Sequence, residues 1–324
     1  MTDPWTWHGG GLEAARRHFG EGDWIDLSTG INPHPWPRAA NMAFDWQRLP
    51  DPEALARLEA VAAAFFGVEP RHVCAVPGSE IGLRLTGALV VRPARHFVPS
   101  YRTHGEMIAS SAPIEPEAAR GHDGTLILAN PNNPDGRAMS VAAMRALLNG
   151  RGVGDWLLVD EAFADADPSA SLATAVDDGQ KLIVFRSFGK FFGLAGVRLG
   201  FVIAPQPIVT ALRDRLGAWP LSAAAIAIGT AAYADRDWVA ATRARLHADA
   251  AALDALLARQ GHRPIGDCPL FRLIEVDDAR ALFERLARRA ILTRPFADQP
   301  HWLRIGLPAD ADARARLEAA LADG

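Results

Sequence analysis

Apolar residues recur at helical spacing through Leu55, Leu58, Val61, Ala62, Phe65 and Phe66, bracketed by Asp51-Pro52 and Gly67. Asp51 can cap the first turn, Pro52 suits the first helical position and Gly67 can end the run, so this stretch is predicted to be one helix. Beyond it, short apolar runs alternate with helical segments: Val73 to Val76, His96 to Val98, Leu126 to Ala129, Trp156 to Val159, Lys181 to Phe185 and Leu199 to Ala204. That alternation predicts an α/β fold, a largely parallel sheet covered by helices on both faces. Ligands of such sheets bind beyond the carboxyl ends of the strands, which is where chemistry is to be sought.

The pattern changes at two places. Residues 1–50 form an irregular arm rich in Trp, Pro and Gly around one helix-like stretch, Leu12 to Phe19, and its prolines exclude continuous helix or central strand. The arm is expected to pack over the small domain and the active site. Residues 51–205 carry the alternating pattern of a large domain. Residues 206–324 read as linking helices over Pro207 to Gln260, interrupted near Pro220 and Asp235, then a smaller α+β domain with strands at Leu270 to Val276, Ile291 to Arg294 and Trp302 to Leu307, and a helix from Asp278 to Arg289. The longest apolar run, Leu221 to Ala234, is shorter than the roughly 20 residues that span a bilayer, so no membrane partner is expected.

Composition narrows the function. With 49% hydrophobic and 22% charged residues, the chain of 324 residues reads as an ordinary globular enzyme of about two domains. A net charge of −4 speaks against a dedicated nucleic-acid binder. Cys74 and Cys268 match no zinc or redox spacing, no basic region followed by an apolar stretch opens the chain, and a reduced, cytoplasmic protein is the expectation. Of 34 basic residues only Lys181 and Lys190 are lysine, so chemistry that needs an amine nucleophile has two candidates.

The residues that follow the predicted strands are Gly78-Ser79-Glu80, Pro99-Ser100-Tyr101, Asn130-Pro131-Asn132-Asn133-Pro134, Asp160-Glu161 and Ser187-Phe188-Gly189-Lys190. Singly, each has an ordinary explanation as a cap, a turn or a solvated lysine. Together they meet the needs of one cofactor, pyridoxal 5′-phosphate, which requires an amine, a carboxylate that keeps its ring nitrogen protonated, and an anion site. Lys190 can supply the amine and Asp160 the carboxylate. The helix start at Gly78, Ser79 and Glu80 offers free amides to a phosphate, and Ser187 and Arg198 can add a hydroxyl and a guanidinium fork. Tyr101 offers a flat face for the ring, Asn133 a donor for the ring hydroxyl, and His104 a hydrogen bond to Asp160. A metal site built on Asp160, Glu161, Asp165 and Asp167 lacks paired histidine spacing, so these residues read as an acidic loop.

The segments "NPNNPDG", "VDEAF" and "SFGKFFGLAGVRLGF", in this order, resemble the fold-type I pyridoxal-phosphate enzymes with the aspartate-aminotransferase-like fold, in the branch that holds histidinol-phosphate aminotransferase. The likeness runs from the arm through "HWLRIGLP". It implies a homodimer with active sites between subunits, and places Arg304 where the family grips the substrate α-carboxylate. Within the branch, "HGGGLEAARRHFG" followed by "WIDLSTGINPHPWP" is similar to the opening of the threonine-phosphate decarboxylases of cobalamin biosynthesis, whose pattern is His-Gly-Gly, Asp-(Phe/Leu)-Ser and Ile-Asn-Pro. Histidinol-phosphate aminotransferases lack that opening. The resemblance therefore implies loss of CO2 from L-threonine O-3-phosphate to give 1-aminopropan-2-yl phosphate; the alternative is an aminotransferase acting on a phosphorylated amino compound such as histidinol phosphate. Three glycines beside His8 suit a backbone wrapping an anion, so His8 and Gly9, with Asn32 and Arg294, are candidates for the substrate phosphate. Phe163, where many aminotransferases have tyrosine, also fits the decarboxylase resemblance. Two positions depart from the related enzymes: Gly30, where asparagine is common, and Leu49, where a tyrosine often reaches the neighbouring subunit's cofactor phosphate.

Overall fold

The computed structural model describes residues 4–90, 93–119, 121, 123–152 and 154–322. Contacts divide the chain into two compact units: one of the residues up to His34, Pro134–Arg137 and Thr242 onward, the other of Pro35–Asn133 and Ala138–Ala241. The boundaries at 50 and 205 mark changes of sequence character, whereas this division follows packing. Helix Ala223–Ala234 groups with the sheet because it lies against helix Pro52–Phe66. Gly229 allows the approach, since a Cβ there would stand 2.9 Å from Leu58 Cδ1 and 2.5 Å from Leu199 Cδ2.

The larger unit holds a seven-stranded sheet in the order Val73–Val76, Gly200–Ile203, Leu182–Ser187, Leu157–Asp160, Thr125–Ala129, Ala94–Phe97, Ser111–Ile114. Gly200–Ile203 runs antiparallel to both neighbours, and every other pairing is parallel. The edge strand Ser111–Ile114 is absent from the sequence expectation. It is short, contains Pro113 and is only partly buried, which an edge tolerates and a central strand does not. Helix Pro52–Phe66 has the ends its sequence predicts: Asp51 accepts the Glu53 amide at 2.9 Å and Gly67 closes the helix at φ +73°.

Register brings the strand ends level. Asp160 pairs with Ala129 on one side and Phe185 on the other. Gly200 pairs with both Val76 and Ser187. The turns that open at Gly78, Asn130, Glu161 and Phe188 therefore leave the sheet on one side.

The smaller unit has a four-stranded antiparallel sheet in the order Arg294–Phe296, Gln299–Gly306, Phe271–Glu275, Pro264–Ile265. The strand expected over Ile291 to Arg294 is split. Ile291–Leu292 pairs in parallel with Ile25–Asp26 of the arm, while Arg294–Phe296 pairs with Gln299–Gly306. The arm thus contributes a strand as well as helix Leu12–Phe19. Trp5 pins it, with its ring 5.1 Å from His18, 5.4 Å from Phe19 and 5.4 Å from Phe283 of helix Ala279–Ala287.

Candidate active site

In the larger unit the residues expected to act together gather at the level strand ends. Asp160 ends its strand with 7% of its surface exposed; its Oδ1 accepts the Ala162 amide at 3.1 Å and its Oδ2 lies 3.0 Å from His104 Nε2. His104 is fully buried, and its Nδ1 has no hydrogen-bond partner among the described residues. A carboxylate oxygen accepts, so Nε2 is the nitrogen that donates in this contact. Lys190, one turn into the short helix Phe188–Phe191, places Nζ 5.7 Å from the centre of the buried Phe163 ring. Phe163 thus gives the amine an aromatic face where the wider family's tyrosine would give a phenol.

Gly78 caps helix Ser79–Leu89 at φ +90°, a backbone that L side chains rarely adopt. A Cβ there would stand 2.5 Å from Arg198 Nη2, so the guanidinium rests directly on the helix start. Gly200 is equally constrained, because its Cβ would lie 2.4 Å from the Ser79 nitrogen. Two glycines therefore let Arg198 and the Ser187 row approach the amides of Ser79 and Glu80. This cradle of helix-start amides, guanidinium and hydroxyl fits a phosphate. With Lys190 as amine and Asp160 as a carboxylate whose two oxygens are already oriented, the donor set fits pyridoxal 5′-phosphate.

Glu80, expected to contribute only its backbone, does more. Its Oε2 accepts the Tyr101 hydroxyl at 3.1 Å and the Thr103 hydroxyl at 2.9 Å, and its Oε1 accepts Arg84 Nε at 2.6 Å. Burial first, and then the Glu80 charge, push the Tyr101 phenol up to about 12, so it remains a donor to Glu80 at neutral pH. Asn133 sits half-buried in a turn held by its neighbours. Asn130 Nδ2 donates to the Met139 and Ala170 carbonyls at 3.2 and 3.1 Å, and Asn132 Nδ2 to the Pro99 carbonyl at 3.0 Å.

Sequence reasoning missed the support beneath this row. Glu161 and Asp165, read as part of an acidic loop, are buried around Arg186. Arg186 Nη1 donates to Glu161 Oε2 at 3.0 Å and Nη2 lies 3.2 Å from Asp165 Oδ1. Glu161 also accepts the Ser171 hydroxyl and the Leu172 amide, both at 2.6 Å, and burial is the chief cause raising its pKa. The cluster ties the residue after Asp160 to the residue before Ser187. The available signal was an arginine directly after the apolar run Leu182 to Phe185 and in the same strand.

The smaller unit holds the other candidates. Arg304 is 3% exposed, donates from Nη2 to the Ser28 carbonyl at 2.8 Å, and has its guanidinium 4.9 Å from the Phe271 ring centre. Arg294 stands directly opposite it on the neighbouring strand. Burial first, and Arg294 second, lower the Arg304 pKa well below the ordinary arginine value, a setting that an anion would relieve. Gly9 packs on Ser28, where a Cβ would meet the carbonyl oxygen at 2.4 Å, while the neighbouring His8 is exposed. Asn32 is buried, with Oδ1 accepting the His34 amide at 2.9 Å.

Residues 114–321 match the family model for aminotransferase class I and II. A threonine-phosphate decarboxylase of Pseudomonas aeruginosa is 42% identical over 328 residues, covering 97% of this chain and 96% of the relative. A threonine-phosphate decarboxylase of Sinorhizobium sp is 40% identical over 327 residues, covering 97% of each. Among solved structures, histidinol-phosphate aminotransferase from Sinorhizobium meliloti in complex with pyridoxal-5′-phosphate superposes with a TM-score of 0.86 at 22% identity, over 97% of this chain and 94% of that one. The aspartate-aminotransferase-like fold expected from the sequence is the fold found.

Proposed function

We propose that this chain, which belongs to the aminotransferase class I and II family, is a pyridoxal-phosphate-dependent lyase that decarboxylates L-threonine O-3-phosphate to 1-aminopropan-2-yl phosphate. The near-full-length identity to two threonine-phosphate decarboxylases carries this reading. When bound, the cofactor supplies an electron sink conjugated to the substrate Cα.

Ser79 and Glu80 amides, Ser187 and Arg198 hold the cofactor phosphate, with Gly78 leaving room for the guanidinium. Asp160 holds the proton on the ring nitrogen, and His104 and the Ala162 amide keep its two oxygens aimed. Tyr101 would offer its face to the ring and Asn133 would donate to the ring hydroxyl. Lys190 would be the amine that holds the cofactor and, once displaced from it by the substrate amine, would hold the proton delivered to Cα. Arg304 takes the α-carboxylate, and His8, Gly9, Asn32 and Arg294 take the substrate phosphate. In the reaction the Cα–COO⁻ bond breaks, CO2 leaves and Cα gains a proton. Cobalamin biosynthesis is the setting the arm resemblance implies.

The protein is further proposed to be a cytoplasmic homodimer. Among the described residues no helix is long and apolar enough to cross a membrane. Trp46, Leu49 and Trp219 are large apolar side chains left 73%, 65% and 54% exposed, an arrangement that supports association. Leu49 cannot reproduce the hydrogen bond that tyrosine makes to a neighbouring subunit's cofactor phosphate.

One assay tests the reading. Purified protein with cofactor should release CO2 steadily from L-threonine O-3-phosphate, and Lys190→Ala should abolish the release. Amino-group exchange between histidinol phosphate and 2-oxoglutarate, with no CO2 release, would favour the aminotransferase instead.

A further inference from the structure

Ser28 is a buried residue of the arm, in contact with both the Gly9-Gly10 segment and strand Gln299–Gly306. On one side the Gly10 amide donates to its hydroxyl oxygen at 2.8 Å, and Gly9 presses on its carbonyl. On the other side Arg304 Nη2 donates to that same carbonyl at 2.8 Å. The flanking segment is equally close to the strand: the Gly306 amide donates to the Leu27 carbonyl at 2.7 Å, and a Cβ on Gly306 would stand 2.5 Å from the Thr29 carbonyl oxygen. The hydroxyl has a fixed rotamer. Its proton goes to Asp26 Oδ1 at 2.6 Å, an oxygen that also accepts the Ser28 amide at 2.9 Å, which leaves its lone pairs for Gly10.

We infer that Ser28 is a positioning residue that sets the distance between the His8-Gly9-Gly10 backbone and the Arg304 guanidinium, and thereby selects amino acids carrying a phosphate at a fixed reach from the α-carboxylate. The inference rests on the roles proposed for His8, Gly9 and Arg304. The two halves of the contact are chemically different. Arg304 binds the Ser28 backbone and survives loss of the side chain, whereas Gly10 is held by the hydroxyl. Removing the hydroxyl should therefore harm the phosphate end of the substrate and spare the carboxylate end.

The test compares Ser28, Ser28→Ala and Ser28→Thr with cofactor bound, each in a Lys190→Ala background that does not turn the phosphorylated amino acid over. Amide hydrogen exchange at Gly10 should quicken about tenfold in Ser28→Ala, and the Kd for L-threonine O-3-phosphate, measured by calorimetry, should rise about tenfold. The Kd for unphosphorylated L-threonine should not change, and Ser28→Thr, which keeps the hydroxyl, should restore the Ser28 values. Equal weakening of both ligands would mean a merely structural role and overturn the inference. So would an unchanged Kd for the phosphorylated ligand with Gly10 freed. Absence of CO2 release from wild type would defeat the decarboxylase reading alone, because the paired Kd values still decide the role of Ser28.

Discussion

His104 Nε2 and Asp160 Oδ2 stand 3.0 Å apart in a buried pair whose far nitrogen, Nδ1, has no partner among the described residues. The pair fixes both the tautomer of the imidazole and the direction of the carboxylate. His104→Phe keeps the ring volume but removes the donor, so Asp160 loses one of its two oriented hydrogen bonds. The expected result is retained cofactor absorbance with kcat lowered about tenfold, read by steady-state CO2 release. Unchanged kcat would show that the Ala162 amide alone aims Asp160.

Arg186 is the cation shared by two buried carboxyl groups, so its loss is costlier than that of a surface ion pair. Arg186→Met leaves Glu161 and Asp165 buried without their shared cation and should destabilise the protein by about 3–5 kcal/mol. The measurement is the denaturant midpoint. A shift no larger than that of an exposed pair such as Arg259 with Glu318 would contradict it.

Burial pushes the Cys74 and Cys268 thiols up to about 12 from a usual 9.0. Between those values the folded chain holds protons that the unfolded chain has released, so stability falls as pH rises from about 9 to about 12 and is unaffected by these groups below 9. Denaturation midpoints recorded across that window should decline, and less steeply in a Cys74→Ala, Cys268→Ala double variant. At pH 8 neither thiol of the native protein should react with a thiol reagent, and both should react once it is unfolded.

Gly78→Ala tests the phosphate cradle. The substitution strains a backbone at φ +90° and drives a methyl into the Arg198 guanidinium. Cofactor affinity, titrated by visible absorbance on apoprotein, should fall about tenfold or more, since displacing one charge-assisted donor costs on the order of 1.5 kcal/mol. Binding at wild-type strength would remove Arg198 from the cradle.

The regular elements were legible because their signals are local. Asp51, Pro52 and Gly67 announce both ends of one helix, and the apolar runs around Val73, Leu126 and Leu182 announce strands that the structure contains. The chemistry was legible for a related reason, since parallel strands deliver their carboxyl ends to one side of a sheet, and Gly78 and Lys190 follow strands while Asp160 ends one. What escaped were partnerships across the chain. Nothing in the run Leu182 to Phe185 says that Arg186 turns inward to Glu161, because the burial that makes the pair is created by other strands. Ser28 lies in the Asp26-Leu27-Ser28 motif, yet its bond to Gly10 and the contact of its carbonyl with Arg304 depend on partners 18 and 276 residues away. The edge strand with Pro113 was missed because its pairing comes from Ala94–Phe97 and not from any pattern of its own.

The chain passes between its two units four times, at His34, Asn133, Arg137 and Ala241. Neither unit is therefore a cassette. A gene exchange that replaced the first 34 residues would separate Ser28 from the Arg304 that donates to it, and Ile25–Asp26 from the strand with which it pairs. A laboratory chimera that keeps these contacts has to transplant both ends of the polypeptide together.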